Sequence, residues 1–306
     1  MQEGGLMSEY HNPVMLKECI DGLNIRKDGT YVDVTFGGGG HSKEILKHLG
    51  KDGALLAFDQ DADAQQNLID DPRFTFIDQN FRYLKNFCRL HGAIPVDGIL
   101  ADLGVSSYQF DQAERGFSIR FDAELDMRMN QSSELSAKEV VNNYSEAELH
   151  RIFGIYGEIQ NAKSLANSIV TARLNAPIIT VADLKNAIAA RIPRGKENKY
   201  LAQVFQALRI EVNQELEALK EFLIQSAEVL VSGGRLVVMS YHSLEDRLVK
   251  NFIAKGKFSG DVEKDFFGND QKPFDAVSRG ALTASEEEIK NNNRARSAKL
   301  RIAVKK

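Results

Sequence analysis

The chain has 306 residues, 43% hydrophobic and 27% charged, a composition typical of globular proteins that excludes a wholly disordered chain. Its net charge of −4 and pI near 5.9 lack the overall basic character of many nucleic-acid-binding domains. The sequence contains neither a signal-peptide pattern nor an apolar stretch of roughly 18 residues, so we predict a soluble, cytoplasmic protein without a membrane partner. Cys19 and Cys88 fit no CxxC pattern, and neither a disulfide framework nor a metal site is predicted.

The first third of the chain alternates predicted strands with helices. Residues 31–36 alternate apolar and polar side chains, and four glycines and an amphipathic helical stretch follow them. Further strands are predicted in "GALLAFDQD", "RFTFID" and "VDGILADLG", with a helical stretch, "FRYLKNFCRLHG", between the last two. This alternation indicates a parallel sheet with helices on both faces.

The pattern changes from about residue 111 to about residue 203, where helical segments predominate. In one of them, Thr180 and Asp183 are predicted to form the N-cap and first turn, and "PRGKENK" is predicted as turn material. A leucine-rich helix follows, which we expect Gly233 and Gly234 to end, and then the strand "RLVVMSYHS". We therefore predict an α/β fold, with one doubly wound domain (1–110 and 204–306) and a mostly helical insert (111–203) for substrate recognition.

The four glycines do not match a known pyrophosphate loop. A dinucleotide fingerprint, G-x-G-x-x-G/A, would need Gly or Ala where the chain has Ser42 or Lys43. The phosphate loop G-x-x-x-x-G-K-[ST] fails as well, because no Gly-Lys pair follows. An NAD-dependent oxidoreductase is therefore a disfavoured alternative.

Acidic residues accompany the ends of three predicted strands. Asp33 lies just before the glycines, and Asp59 and Asp102 end the second and fourth strands, so all three are expected at one crevice. An acid about 20 residues beyond the glycine turn accepts hydrogen bonds from ribose hydroxyls in such folds, and a helix N-terminus can receive a carboxylate. A ligand with a ribose, a carboxylate and a positive centre suits this crevice. S-adenosylmethionine has all three.

Eight motifs follow one another along nearly the whole chain: "HNPVMLKE", "YVDVTFGGGGHS", "AFDQDADA", "ILADLGVSSYQFDQAERGFS", "LDMRM", "FQALRIEVNQEL", "GGRLVVMSYHSLEDR" and "NNNRARSAKLRI". Together they resemble the bacterial RsmH (MraW) family of small-subunit ribosomal RNA methyltransferases. The resemblance implies a Rossmann-like class I S-adenosylmethionine-dependent methyltransferase fold with an inserted helical domain. It also implies methylation of the exocyclic N4 of a cytidine in the decoding region of 16S rRNA, with 16S rRNA or the small ribosomal subunit as the partner. The oligomeric state is left open.

The resemblance further implies which residues bind the cofactor. They are Gly39, Gly40 and His41 against the methionyl part, Asp59 on the ribose, Phe81 beside the adenine, and Asp102 and Gln109, which complete the pocket.

The catalytic group is expected to be a hydrogen-bond acceptor. Cytosine N4 is a poor nucleophile, because its lone pair is delocalised into the ring, and an acceptor on the amino group would localise that pair. Asp102 is the first candidate, Ser106 and Ser107 are the second, and Ser240 and His242 at the end of the fifth strand are weaker ones. Transfer from a sulfonium is an in-line displacement in which the protein supplies alignment and electrostatics without a metal.

Two basic segments are predicted to contact RNA. From Lys290 to Lys306 the chain has seven basic residues and no acid, and the insert contains the basic stretch "ARIPRGKENK". The residues expected to contact RNA are Arg191, Arg194, Lys196, Arg294, Arg296 and Lys299. A non-catalytic adenosyl-binding RNA protein or ribosome assembly factor is the alternative to an enzyme.

Overall fold

The computed structural model describes residues 13–105 and 113–306. Within these residues seven strands form one sheet, in the order β3-β2-β1-β4-β5-β7-β6. The strands are β1 (Thr30–Asp33), β2 (Ala54–Asp59), β3 (Phe74–Asp78), β4 (Val96–Asp102), β5 (Leu230–Ser240), β6 (Phe274–Ala276) and β7 (Lys299–Lys305).

The sheet is mixed, which corrects the prediction of a parallel sheet. Strands β1 to β5 pair in parallel, whereas β7 pairs antiparallel with both β5 and β6. The β/α alternation that predicts parallel pairing ends with β5, and the antiparallel pairs form after it. The predicted alternating stretch "KLRIAV" lies in β7, between β5 and the edge strand β6.

The chain divides into two compact units. Of the described residues, 13–59, 64–105 and 220–306 form the first unit, and 60–63 and 113–219 form the second. The predicted boundary at residue 203 falls inside the helix Glu197–Asn213, which begins within the predicted turn "PRGKENK". The use of the second unit in substrate recognition stays a prediction.

The first unit contains the sheet and the helices that pack on it. A cluster of buried apolar side chains, including Leu23, Ile45, Leu100 and Val237, joins two N-terminal helices to the sheet. Each fully buried side chain of this kind contributes about 1.5–3 kcal/mol. The helices of this unit are Leu16–Leu23, Gly40–His48, Leu84–Leu90, Ser243–Lys255 and Glu286–Asn291, with 3-10 turns at Phe81–Tyr83 and Asn293–Ser297. A further 3-10 helix, Ala62–Asn67, begins in the second unit and ends in the first.

The second unit is mostly helical. Its helices are Ala137–Asn143, Glu146–Ile155, Ala162–Arg173, Val181–Ile188 and Glu197–Asn213, with 3-10 turns at Ala113–Arg115 and Ala189–Arg191. The predicted cap of Val181–Ile188 is confirmed, because Thr180 and Asp183 form a reciprocal capping box.

The helix Glu215–Val229 continues the chain from the second unit into the first. The prediction that Gly233 and Gly234 end this helix is wrong, since both glycines lie inside β5. There the β4–β5 register shifts, with Val96 opposite Leu230 but Gly98 opposite Arg235. The glycines thus occupy an irregularity in the strand. Within the described residues, each helix is too short or too polar to cross a lipid bilayer.

Candidate active site at the carboxyl edge of the sheet

Three acidic side chains lie where parallel strands end in the first unit. Asp33, Asp59 and Asp102 are the last residues of β1, β2 and β4. Strand β1 lies between β2 and β4, so the strand order reverses direction beside it. Ligands of open α/β sheets bind at such a switch point, outside the carboxyl ends of the strands.

Asp33 is buried in a hydrogen-bonded network. Its side chain is 1% exposed, and its two oxygens accept hydrogen bonds from Ser42 Oγ at 2.6 Å and from the Thr35 backbone N–H at 3.1 Å. Burial raises the pKa of Asp33, and the nearby His41 and the Ser42 hydroxyl oppose that rise. These bonds fix the start of the helix Gly40–His48 against the end of β1.

Asp102 joins the ends of three strands. Its backbone N–H donates to Thr35 Oγ1 at 2.7 Å, and its Oδ1 accepts a hydrogen bond from the Tyr241 hydroxyl at 2.7 Å. Burial raises the pKa of Asp102 to about 6, while His41 and the Tyr241 hydrogen bond oppose the rise. A carboxylate with this pKa is largely ionised at neutral pH and accepts a proton more readily than an ordinary aspartate.

His41 faces the same carboxylate from the glycine-loop side. Its Nδ1 lies 3.9 Å from Asp102 Oδ2, and its Nε2 lies 3.3 Å from the carbonyl oxygen of Val14. A carbonyl oxygen only accepts hydrogen bonds, so Nε2 carries a proton. The buried ring is thereby held between the N-terminal segment and Asp102.

Side chains hold the glycine loop at Gly37 and leave it open at Gly38. The Gly37 N–H donates to Asp59 Oδ2 at 2.8 Å, and Asn67 Nδ2 donates to the Gly37 carbonyl at 3.1 Å. Gly39 has φ +75°, and a side chain on Gly40 would collide with Pro13. A methyl group on Gly38, by contrast, would meet no atom of the described residues within 4 Å. The loop therefore keeps an accessible backbone face at the N-terminus of a helix.

The remaining predicted site residues have other surroundings. Phe81 is half-buried and packs edge-on against Phe222 at 5.5 Å between ring centroids. His242 caps the helix Ser243–Lys255 by accepting from the Glu245 N–H, and Ser240 is buried beside the Lys299 carbonyl. Their roles in binding or catalysis stay predictions. Ser106, Ser107 and Gln109 lie outside the described residues.

The predicted RNA-contacting residues lie in both units. Arg191, Arg194 and Lys196 are exposed on the second unit. On the first unit, Arg296 is exposed, Arg294 is half-buried, and the exposed Lys299 ammonium lies 3.7 Å from Asp246. Contact of these side chains with RNA stays a prediction.

Sequence reasoning missed four polar residues that hold the strand-end acids and the glycine loop. They are Thr35, Ser42, Asn67 and Tyr241. Thr35 and Ser42 lie close to Asp33 in sequence, and Tyr241 follows β5 directly. Their positions could therefore have marked them as residues of the site. Nothing local in the sequence marks Asn67.

The fold and this site together define a class of enzyme. A sheet in this order, with β7 antiparallel and with a glycine turn and acids at the carboxyl edge, is that of a class I S-adenosylmethionine-dependent methyltransferase. Residues 8–306 match the MraW methylase family, and the chain belongs to that family.

Relatives in several bacteria are similar over almost their whole length. A protein of Christiangramia forsetii called ribosomal RNA small subunit methyltransferase H is 60% identical over 300 residues, which are 98% of this chain and 99% of that protein. Proteins of the same name in Flavobacterium johnsoniae and Bacteroides thetaiotaomicron are 60% and 58% identical, each over 97% of this chain and 98% of the relative.

Proposed function

We propose that the protein transfers a methyl group from S-adenosylmethionine to the exocyclic N4 of a cytidine in the decoding region of 16S rRNA. One observation carries the proposal. The chain is 60% identical over 300 residues to a protein named as a ribosomal RNA small subunit methyltransferase.

The residues of the sheet edge fit the cofactor. S-adenosylmethionine supplies an electrophilic methyl group on a positively charged sulfur. The open backbone at Gly38 and the N-terminus of the helix Gly40–His48 suit its carboxylate, because helix N-termini attract anions. We assign the ribose to Asp59, whose Oδ2 also receives the Gly37 N–H. The acid would then hold the loop and the sugar together.

Asp102 is the proton acceptor that we assign to the reaction. Its Oδ1 receives the Tyr241 hydroxyl, so we assign the cytidine amino group to Oδ2. Accepting a hydrogen bond from that amino group localises the nitrogen lone pair. The same oxygen takes the amino proton as the nitrogen–methyl bond forms and the sulfur–methyl bond breaks. The alternative is that Asp102 serves only to bind the cofactor.

The basic segments suit an RNA partner. Exposed Arg191, Arg194 and Lys196 on one unit and exposed Arg296 on the other could neutralise phosphates of the folded RNA around the target. A cytidine in folded RNA must also be turned out of its stack before it can enter an active site.

A transfer assay tests the function. Purified protein is incubated with isotopically labelled S-adenosylmethionine and small subunits that lack the modification, and the RNA is digested to nucleosides for mass spectrometry. We expect label in N4-methylated cytidine and none in subunits that already carry this methyl group. Cofactor binding without transfer would instead support the assembly-factor alternative, and label in another base would refute the assigned substrate atom.

Calorimetric titration tests the cofactor site separately. Asp59→Asn should weaken S-adenosylmethionine binding roughly 10- to 150-fold, as expected for loss of hydrogen bonds to a charged group. Asp78→Asn is the matched control, because Asp78 ends β3 directly opposite Asp59 and bonds to Gln65. Equal affinities in the two variants would contradict the assignment of the ribose.

A further inference from the structure

A short hairpin presents two adjacent phenylalanines in the first unit. Residues 263–271, here called the aromatic hairpin, precede the edge strand β6. The Gln271 N–H donates to the Glu263 carbonyl at 2.7 Å, and the Asp265 N–H donates to the Asn269 carbonyl at 2.9 Å. Lys264 and Asp270 form an antiparallel bridge between these two pairs. The segment is therefore a regular two-stranded ladder up to its tip.

The side chain of Asp265 holds the tip together. Its Oδ1 accepts from the backbone N–H groups of Phe267 and Asn269 at 2.8 and 2.9 Å, and its Oδ2 accepts from Asn269 Nδ2 at 3.0 Å. These hydrogen bonds hold the pKa of Asp265 below its usual range. The tip is thus pre-organised by a carboxylate whose hydrogen bonds lie within the turn.

Both phenylalanine rings point into solvent. Phe266 is 98% exposed and Phe267 is 85% exposed, and their rings meet edge to face at 5.7 Å with an interplanar angle of 88°. Two large apolar side chains exposed next to each other on an ordered turn mark a contact site. Since the rings are nearly perpendicular, each has a face available to a partner.

Two of the three acids of the hairpin have a lysine partner. Lys257 lies 3.2 Å from Glu263, and Lys264 lies 4.0 Å from Asp270. The third acid, Asp265, is bonded within the turn. Hydrogen bonds from neutral groups stabilise the charge of Asp265 without cancelling it, so the tip offers a partner its ring faces and not a basic surface.

We infer that the tip of the aromatic hairpin stacks on unpaired bases of the RNA substrate. This inference rests on the proposed function, which makes the partner an RNA. Proteins that recognise single-stranded RNA stack exposed bases on aromatic side chains, and one ring face is enough for one base. The hairpin would thus contact nucleotides outside the reaction site and help to hold the substrate.

The size of the exposed apolar surface favours bases over a protein partner. Two phenylalanines offer about 300–500 Å² together, whereas a stable protein interface buries about 800 Å² on each partner. The neighbouring exposed residues, Lys264, Asn269 and Asp270, are polar and do not extend the apolar surface. The apolar area of the two rings is enough to stack on one or two bases.

Binding to the small ribosomal subunit tests the inference. The dissociation constant is measured at several salt concentrations for the wild-type chain, for Phe266→Ala/Phe267→Ala and for Asp265→Ala. The control is Leu90→Ala, which also truncates an exposed apolar residue of the first unit, 73% exposed. Thermal unfolding checks that each variant is folded. In parallel, ultraviolet light crosslinks the wild-type complex without a linker, and the crosslinked peptides are sequenced.

We expect the double variant to bind roughly 5- to 150-fold more weakly for each ring that stacks, with an unchanged salt dependence because no charge is removed. Asp265→Ala should lose less, Leu90→Ala should bind like the wild type, and the hairpin peptide should carry a crosslinked nucleotide. An unchanged affinity of the double variant would overturn the inference. So would a crosslink from the hairpin to a ribosomal protein. If the hairpin crosslinks to RNA but the transfer assay labels another base, the proposed function fails and the inference stands.

Discussion

Two groups of buried or half-buried carboxylates are satisfied in different ways. At the sheet edge of the first unit, Asp33 is hydrogen-bonded by Ser42 and Asp102 by Tyr241, and the His41 ring lies near Asp102. Burial outweighs these partners, and the pKa of each carboxyl group is raised.

In the second unit the partner of the carboxylates is an arginine. Arg115 Nη1 donates to Asp61 at 2.6 Å and to Asp63 at 2.9 Å, while Nη2 donates to the carbonyl oxygens of Arg128 and Met129. An arginine stays charged at any pH at which the protein is folded. Its bonds tie residues 60–63, which follow β2, into the helical unit.

The difference separates a reactive group from a structural one. An acid compensated by a permanent cation stays ionised and holds the chain in place. Asp102, whose partners are not permanent cations, has its pKa raised to about 6 by burial and can gain and lose a proton near neutral pH. The comparison supports the proposal that Asp102 takes part in the chemistry, and it indicates an architectural role for Arg115.

Removing the charge of Asp102 should have the largest effect on activity. Asp102→Asn keeps the shape of the side chain but cannot take a proton, so we expect methyl transfer to slow by about 10²- to 10⁴-fold. Asp97→Asn is the matched control, since Asp97 lies near the opposite end of β4 and bonds to Arg26 and to the Thr30 N–H. The methyl-transfer rates of both variants are measured in single-turnover experiments with labelled cofactor. A normal rate for Asp102→Asn would assign Asp102 to cofactor binding alone.

Removing the charge of Arg115 should have the largest effect on stability. Arg115→Met leaves Asp61 buried without its cation, so we expect about 3–5 kcal/mol of lost unfolding free energy in denaturant titration. Arg128→Met breaks a more exposed pair with Asp126 and should lose about 1 kcal/mol or less. Adding Asp61→Asn to Arg115→Met should recover part of the loss. If the double variant recovers no unfolding free energy, the buried charge of Asp61 is not the cause of the loss.

The elements that the sequence predicts well are those with a local signal. Alternating or continuous apolar residues identify the first four strands, and the acid at the end of a buried run identifies Asp59 and Asp102 before any tertiary contact is known. The Thr180 capping box is equally local, because its two partners are three residues apart. In each of these cases, the residues that determine the feature lie within one short segment of the sequence.

The features that sequence reasoning missed depend on pairing between distant segments. Tyr241 reaches Asp102 because β5 lies next to β4, and the chain separates these residues by 139 positions. Arg115 and Asp61 are 54 positions apart, and the antiparallel course of β7 depends on β5 and β6. The exposure of Phe266 and Phe267 is visible only once the hairpin is folded, since an FF pair in sequence is typical of a core.

The smallest expected effect is a displacement of the pH dependence in Tyr241→Phe. The Tyr241 hydroxyl donates to the ionised form of Asp102 and so lowers its pKa, which burial has raised to about 6. Removing the donor therefore raises this pKa further, and the acidic limb of kcat/KM should move up by about one pH unit. At pH 6 the variant should be about fivefold slower than the wild type, and above pH 8 it should be nearly equal.

The remaining charged groups around Asp102 do not alter the direction of this shift. Asp33 and Glu245 raise the pKa of Asp102 and His41 lowers it, and all three are unchanged in Tyr241→Phe. Tyr31→Phe is the control, since it removes a buried hydroxyl that accepts from the Arg26 N–H at the other end of β1. Its pH profile should match the wild type. A limb that moves to lower pH in Tyr241→Phe would mean that another group titrates, and Asp102 would then belong with the structural carboxylates.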